Sequence, residues 1–245
     1  MGRWSRPVAR EFLEWLGVPR HRDWVDVGCG TGALSGAILE AAEPSELAGV
    51  DPSEAFIAAA KLRLGDGPDL RVGDAQWLPF ADQQFDAAVS GLALNFVPDP
   101  ALAVAELRRV TKVGGMVAAY VWDYAGGMQM IKSFWDVVVA MDPLSSHLHE
   151  ATLFPLCDPL RLEILFRDAG LVGAAVTGLE IPTIFKGFHD FWDPLLGGQG
   201  PAPSYVMSLT EEDRHRLRSA LLESLPEIDG RIALTARAWA VKALR

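Results

Sequence analysis

Apolar and polar positions alternate along the chain in two rhythms that trade places at regular intervals. Residues 6 to 16 place Val8, Phe12, Trp15 and Leu16 on one helical face, and Gly17 follows as a C-cap. A short apolar run around Trp24, Val25 and Val27 predicts a buried strand, and Ala33 to Ala42 reads as the helix after it. Glu46 to Asp51 is a second short strand, then Ser53 caps a helix through Leu64 that Gly65 closes. Leu70 to Asp74 and Phe85 to Leu92 give a third and a fourth strand. Asp99-Pro100 opens a helix over 101–110, with Gly114-Gly115 expected to end it, and Met116 to Trp122 is a fifth buried strand. This β-α alternation predicts an α/β fold, a doubly wound, mostly parallel sheet with helices on both faces.

Past Trp122 the rhythm changes. A helical run around Phe134, Trp135, Val138 and Met141 stands in a segment otherwise without clear period. Asp158-Pro159 opens a helix to Ala169, Leu171 to Phe185 reads as strand, and Thr210 caps a helix carrying Leu217, Leu221 and Leu222. Ile232 to Val241 is strand-like and is expected to pair antiparallel at the sheet edge. One domain over 1–245 is expected, seven-stranded and Rossmann-like, with cap inserts at about 123–157 and 186–230. The stretch Gly197-Gly-Gln-Gly-Pro-Ala-Pro203 reads as a lid loop.

Composition narrows the chemistry. Lys+Arg 22 against Asp+Glu 32 gives a formal charge of -10 and a pI near 4.9, which repels phosphate backbones and argues against a nucleic-acid partner. Two cysteines, Cys29 and Cys157, make no disulfide framework and suit a reduced, cytoplasmic setting. The N-terminus has no apolar signal core. The apolar, charge-free stretch Ala87 to Pro98 is far short of the ~20 residues of a membrane span.

The candidate site begins in Val25-Asp-Val-Gly-Cys-Gly-Thr-Gly32, where a strand turns into a helix through glycines at alternate positions. Glycine there allows a tight turn and lets a ligand approach the backbone. Asp26, Asp51 and Asp74 each end an early strand, and such ends line one crevice in a doubly wound sheet. Gly28, Gly30 and Ala33 also satisfy the dinucleotide pattern G-x-G-x-x-G/A, with Asp51 placed for a ribose. Asp26 argues against that ligand, because it would face a pyrophosphate with like charge; it suits an ammonium.

Asp26-Val-Gly-Cys-Gly-Thr-Gly32, Val50-Asp51-Pro-Ser, Gly73-Asp74-Ala-Gln-Trp-Leu-Pro-Phe, Phe85-Asp86 and the Val113-Gly-Gly turn together resemble a class I S-adenosylmethionine (SAM)-dependent methyltransferase. They are most similar to the methyltransferase type 11 branch with the ubiquinone/menaquinone biosynthesis enzymes, over residues 20 to 122. The resemblance implies SAM as cofactor, S-adenosylhomocysteine as product, and methyl transfer to a small, partly apolar acceptor by in-line displacement. It implies that the Gly28, Cys29, Gly30 and Gly32 turn passes beneath the methionine part, with Asp26 on its ammonium. Asp51 would accept the ribose hydroxyls, Pro52 flank the adenine, Asp74 take its amino group and the Ala75 amide meet a ring nitrogen. Ser90 would lie under the sulfonium, and Arg3, in an opening segment that folds over the cofactor in relatives, would pair with the carboxylate unless that terminus is simply solvated.

Other residues carry weaker signals. His189 beside Asp190, Tyr124 and His147 are the candidates for a general base, needed only if the acceptor loses a proton. His147-x-His149 lacks a third ligand at suitable spacing, so no metal is expected. Phe134, Trp135, Phe154, Phe191 and Trp192 either form the inserts' own core or wall an apolar substrate pocket. The alternatives to an active methyltransferase are a catalytically silent SAM-binding partner or sensor and an NAD(P)-dependent oxidoreductase. Oligomeric state, monomer or homodimer, is left open.

Overall fold

The structure is a computed structural model that describes residues 2–197 and 200–245. A 3-10 turn at Gly2–Trp4 leads into α1 (Ser5–Leu16), capped by Gly17 at φ 67. There follow β1 (Asp23–Val27), α2 (Ala33–Ala42), β2 (Glu46–Asp51), α3 (Glu54–Leu64), β3 (Asp69–Val72), β4 (Phe85–Gly91), α4 (Pro100–Val110) and β5 (Thr111–Trp122). Then come α5 (Gln129–Met141), α6 (Glu150–Leu153), α7 (Pro159–Asp168), β6 (Val172–Phe185), α8 (Phe188–Trp192), α9 (Pro201–Ser208), α10 (Glu211–Ser224), β7 (Glu227–Ile228) and β8 (Arg231–Leu244). The expected caps are in place: Ser53 accepts from the Phe56 amide, Asp99 from Ala101 and Leu102, Asp158 from Leu160, and Thr210 from Asp213.

The sheet runs in the order β3-β2-β1-β4-β5-β8-β6, with β7 paired to β8 off this path. β3, β2, β1, β4 and β5 run parallel to one another. β8 is antiparallel to β5: Gly114 donates to the Arg245 carbonyl, whereas Asp123, just past the end of β5, donates to Arg237. The chain divides into two compact units. The sheet unit comprises Gly2–Val121, Asp158–Leu179 and Trp239–Arg245. In it α1 packs on α2 and α4 on α7, over a core that includes Phe12, Trp24, Val25, Ile38, Phe85, Leu107 and Tyr120.

The insert unit comprises Trp122–Cys157 and Glu180–Ala238. Its core is aromatic. Phe134 meets Trp135 edge to face at 5.1 Å, Trp135 and Tyr205 lie 5.6 Å apart, and Phe188 stacks on Trp192 at 6.2 Å. Phe134, Trp135, Phe191 and Trp192 are all buried, so of the two readings offered for these rings their packing is that of the unit's own core. Glu150 is buried with them, accepting from the Trp135 indole and from the Ala202 amide.

Three expectations need correcting. Gly114-Gly115 do not end α4. The helix stops at Thr111, whose hydroxyl donates back to the Leu107 carbonyl, and β5 starts there at once, irregular in register beside Phe85 and Ala87. β8 is not the sheet edge: it lies between β5 and β6, and β6 is outermost. Pro182 inside β6 is the sequence sign of an edge, since proline cannot donate to a ladder, while β8 buries Ile232, Leu234, Ala236, Ala238, Ala240 and Ala243. In the expected lid loop, residues 198 and 199 lie outside the described residues, and from Pro201 the chain is already helix α9. Among the described residues no helix is long and apolar enough to cross a membrane.

Candidate functional site

The turn from β1 into α2 is built from three left-handed glycines, Gly28 at φ 75, Gly30 at φ 52 and Gly32 at φ 81. A side chain in this region is strained, so the conformation itself demands glycine. The space beside each one differs. A Cβ on Gly28 would meet the Ala93 Cβ at 2.3 Å, and one on Gly32 would meet Leu64 at 2.7 Å, so these positions are already filled by protein. Nothing lies within 4 Å of the corresponding point on Gly30. Of the three, Gly30 alone leaves its face open to a ligand.

Asp26, in β1 opposite Gly49 of β2 and Val89 of β4, is completely buried. The Ser35 hydroxyl of α2 donates to its Oδ2 at 2.6 Å, and Oδ1 has no partner. Burial pushes the carboxyl up from 3.8 to about 7, against the pull of the Ser35 hydrogen bonds, and the charge of Asp51 adds to the rise. A buried carboxylate with one oxygen unsatisfied is costly alone, and a cation donating to Oδ1 would remove most of that cost.

Asp51, at the end of β2, is nearly buried. One oxygen accepts from the Gly30 amide and the other from Ser53, each at 2.9 Å, which ties the glycine turn to the start of α3. Each carboxylate oxygen keeps a further lone pair for a donor such as a sugar hydroxyl. Ser90, in β4, is buried with an unpartnered hydroxyl, 4.0 Å from where a Gly28 Cβ would lie. Cys29 turns its thiol away, into a cluster with Ile57, Ala60 and Leu70, where burial first and then Asp26 and Asp51 drive its pKa upward. Only its backbone remains for a ligand.

The expected adenine residues lie outside the core. Asp74 is exposed and accepts from the amide and side chain of Gln76; Pro52 is exposed and Ala75 half-buried. Their loop is fastened by a cluster that sequence reading missed. Arg109 of α4 donates to the carbonyls of Leu78 and Phe80 and pairs with Asp82 and Glu106, while Glu106 accepts from the Leu78 amide. Glu106 and Arg109, one helical turn apart in an amphipathic helix, were visible only as a surface ion pair. Asp86 serves the opposite end of β4 from Gly91, accepting from the Asp23 amide and pairing with Lys112. Arg3 is exposed, its guanidinium 4.7 Å from the Trp4 ring centre.

Ser35 was missed as well; its signal was a hydroxyl in the first turn of a mostly apolar helix. Leu92, at φ 62 just past β4, is another. A bulky residue in the left-handed region is strained, and no local pattern announced it.

The three base candidates all lie in the insert unit. Tyr124 is buried, 5.6 Å from the Phe154 ring, and burial followed by Glu150 and Cys157 raises its pKa, so its phenol keeps its proton at neutral pH. His189 is exposed, and its ring nitrogen faces Asp193 at 3.9 Å; the expected partner Asp190 instead accepts from the Lys186 amide. His147 is exposed with Nδ1 2.8 Å from the Leu144 carbonyl. Among the described residues no group of three or more His, Cys, Asp or Glu is arranged to hold a metal.

The family model reaches residues 25–119 and the comparison of folds nearly the whole chain. Residues 25–119 match the family model described as a methyltransferase domain. Demethylmenaquinone methyltransferases of Staphylococcus aureus strains are 36% identical over 117 residues, 46% of this chain and 47% of theirs, so the chain spans about half the length of the curated relatives it matches. A Bacillus halodurans protein described as a candidate methyltransferase superposes with a TM-score of 0.64 at 18% identity, covering 96% of this chain and 97% of its own. A Haemonchus contortus phosphoethanolamine N-methyltransferase, solved with S-adenosylhomocysteine, does so with 0.59 at 17%, covering 97% and 52%. By sequence, residues 25–119 are thus similar to a methyltransferase domain, and the chain shares the fold of solved methyltransferases.

Proposed function

We propose that this chain is a SAM-dependent methyltransferase acting on a small-molecule acceptor. The observation that carries the reading is the fully buried Asp26 carboxylate with an unpartnered Oδ1, beside an open Gly30. An amino-acid ammonium supplies what Asp26 lacks, and a dinucleotide pyrophosphate does not. The residues present fit the cofactor: Asp26 for the ammonium, Gly30 for close approach, Asp51 for the ribose diol, Ser90 with a spare hydroxyl, and Pro52, Asp74 and Ala75 for the adenine. When bound, SAM supplies a methyl group already activated by its sulfonium.

What remains for the protein is orientation and exclusion of water. Holding two reactants in line can supply about 7–11 kcal/mol of barrier lowering, so neither a metal nor a strong base is demanded. The rigidity of the glycine turn, pinned through Asp51 to α3 and packed by Ala93 and Leu64, serves that end. A small acceptor is supported by the acidic balance of the chain, by the quinone precursor in the name of the Staphylococcus aureus relatives and by the phosphomonomethylethanolamine bound to the Haemonchus enzyme. Cytoplasmic residence and selection of the acceptor by the insert segments belong to the same proposal.

Calorimetry with S-adenosylhomocysteine tests it. Binding is expected in the micromolar range, and Asp51→Ala should weaken it about tenfold or more, because a charged acceptor of two hydroxyls is lost. A wild-type protein that binds NADH and not S-adenosylhomocysteine would overturn the assignment. Tight binding without turnover across a broad acceptor panel would favour the silent, sensor-like reading.

A further inference from the structure

Tyr120 has no part in the site so far, yet the sheet register carries it there. Asp26 is paired with Val89, and Gly91 with Tyr120. Side chains alternate along a strand and paired residues share a face, so Asp26, Val89, Gly91 and Tyr120 all look toward the side covered by α1 and α2. Gly91 has no side chain to occupy its place in that row. The Tyr120 hydroxyl fills the gap, 2.7 Å from where a Gly91 Cβ would be, with a Leu34 methyl 3.1 Å from the same point. The phenol therefore reaches across β4 in the direction of Asp26 on β1.

The ring is held firmly. Tyr120 is fully buried, with Phe12 of α1 at 4.6 Å. Burial raises its pKa, and the charge of Asp26 raises it further, so the two groups sense each other and the phenol stays neutral. They are not hydrogen-bonded, because Asp26 Oδ1 has no partner and Oδ2 is taken by Ser35. A buried hydroxyl on β5 and a buried, unpartnered carboxylate oxygen on β1 thus stand on one face of the sheet, with β4 between them.

We propose that Tyr120 is a specificity-determining residue for the amino-acid end of the cofactor, its hydroxyl accepting one N–H of the ammonium while Asp26 Oδ1 accepts another. An ammonium has three donors, and one carboxylate oxygen satisfies one of them. The inference rests on the SAM reading and adds to it a residue outside the motifs that suggested the cofactor. Gly91 is explained in the same way, as the gap through which the phenol passes.

The test compares S-adenosylhomocysteine with 5′-methylthioadenosine, which keeps the adenosine and sulfur and lacks the amino-acid end. Tyr120→Phe removes only the hydroxyl and retains the packing on Phe12. Calorimetry should show S-adenosylhomocysteine weakened about tenfold, as for loss of a hydrogen bond to a charged group, with 5′-methylthioadenosine unchanged. Gly91→Ala, which crowds the phenol, should reproduce this selectivity. Equal loss of both ligands, or normal binding of both by Tyr120→Phe, overturns the role of Tyr120 while leaving the cofactor assignment standing. A wild-type protein that binds neither ligand overturns both.

Discussion

Replacing Asp26 by asparagine separates the cost of the buried charge from its use. The folded-state pKa of about 7 against 3.8 for an ordinary aspartate is a rise of about 3 units, or about 4 kcal/mol at 1.36 kcal/mol per unit. Between these values the native state holds a proton that the unfolded chain has released. Stability from this group is therefore fully present below about pH 4 and is lost as pH rises through about 7, after which the curve is level. From about pH 5.5 to about pH 8 the loss attributable to Asp26 is about 2 kcal/mol. Asparagine carries no charge in this range, and Ser35 can still donate to its carbonyl oxygen. Its amide group, placed where Oδ1 had no partner, carries a cost that does not vary with pH. Urea unfolding of both proteins at the two pH values should give a wild type that loses about 2 kcal/mol more than Asp26→Asn across the interval. S-adenosylhomocysteine should bind wild type more tightly as pH rises through about 7, since its ammonium prefers the ionised carboxylate, and should bind the variant weakly at every pH. Parallel stability curves would show that Asp26 is not strained by burial and would remove the main argument for an ammonium at this place.

The three glycines should respond differently to alanine. Gly28→Ala forces a Cβ to 2.3 Å from Ala93 and should lower stability by about 3 kcal/mol or more, seen as a large drop in Tm. Gly30→Ala meets no atom and should cost only about 1 kcal/mol for its left-handed backbone, while S-adenosylhomocysteine binding measured by calorimetry falls about tenfold or more; intact binding would show that no ligand uses the open face. Trp192→Ala, buried against Phe188, should destabilise by about 3–5 kcal/mol in chemical unfolding. Near wild-type stability with impaired acceptor use would restore Trp192 to the pocket-wall role and count against its place in the core.

What could be read in advance followed from local rules. The glycines of the first turn, the cap at Ser53 and the Asp-Pro openings at 99 and 158 each answer a backbone requirement within a few residues, and the elements they bound agree with the structure to within a residue or so. The sheet order past β5 was less legible, because it depends on which strand can tolerate an unpaired side. Pro182 carries that information, because a proline inside a strand marks a side without ladder bonds. The individual duties of the site residues were harder still. Gly28, Gly30 and Gly32 look alike in sequence, and only the neighbours brought in from Ala93 and Leu64 distinguish two packing positions from one open one. The same holds for Asp26. Its position before the turn suggested a cationic ligand, but the strength of the argument comes from its burial, its single donor Ser35 and the vacant Oδ1. Motif and fold bring a charge to the crevice; the unsatisfied atom decides what kind of ligand can discharge its cost.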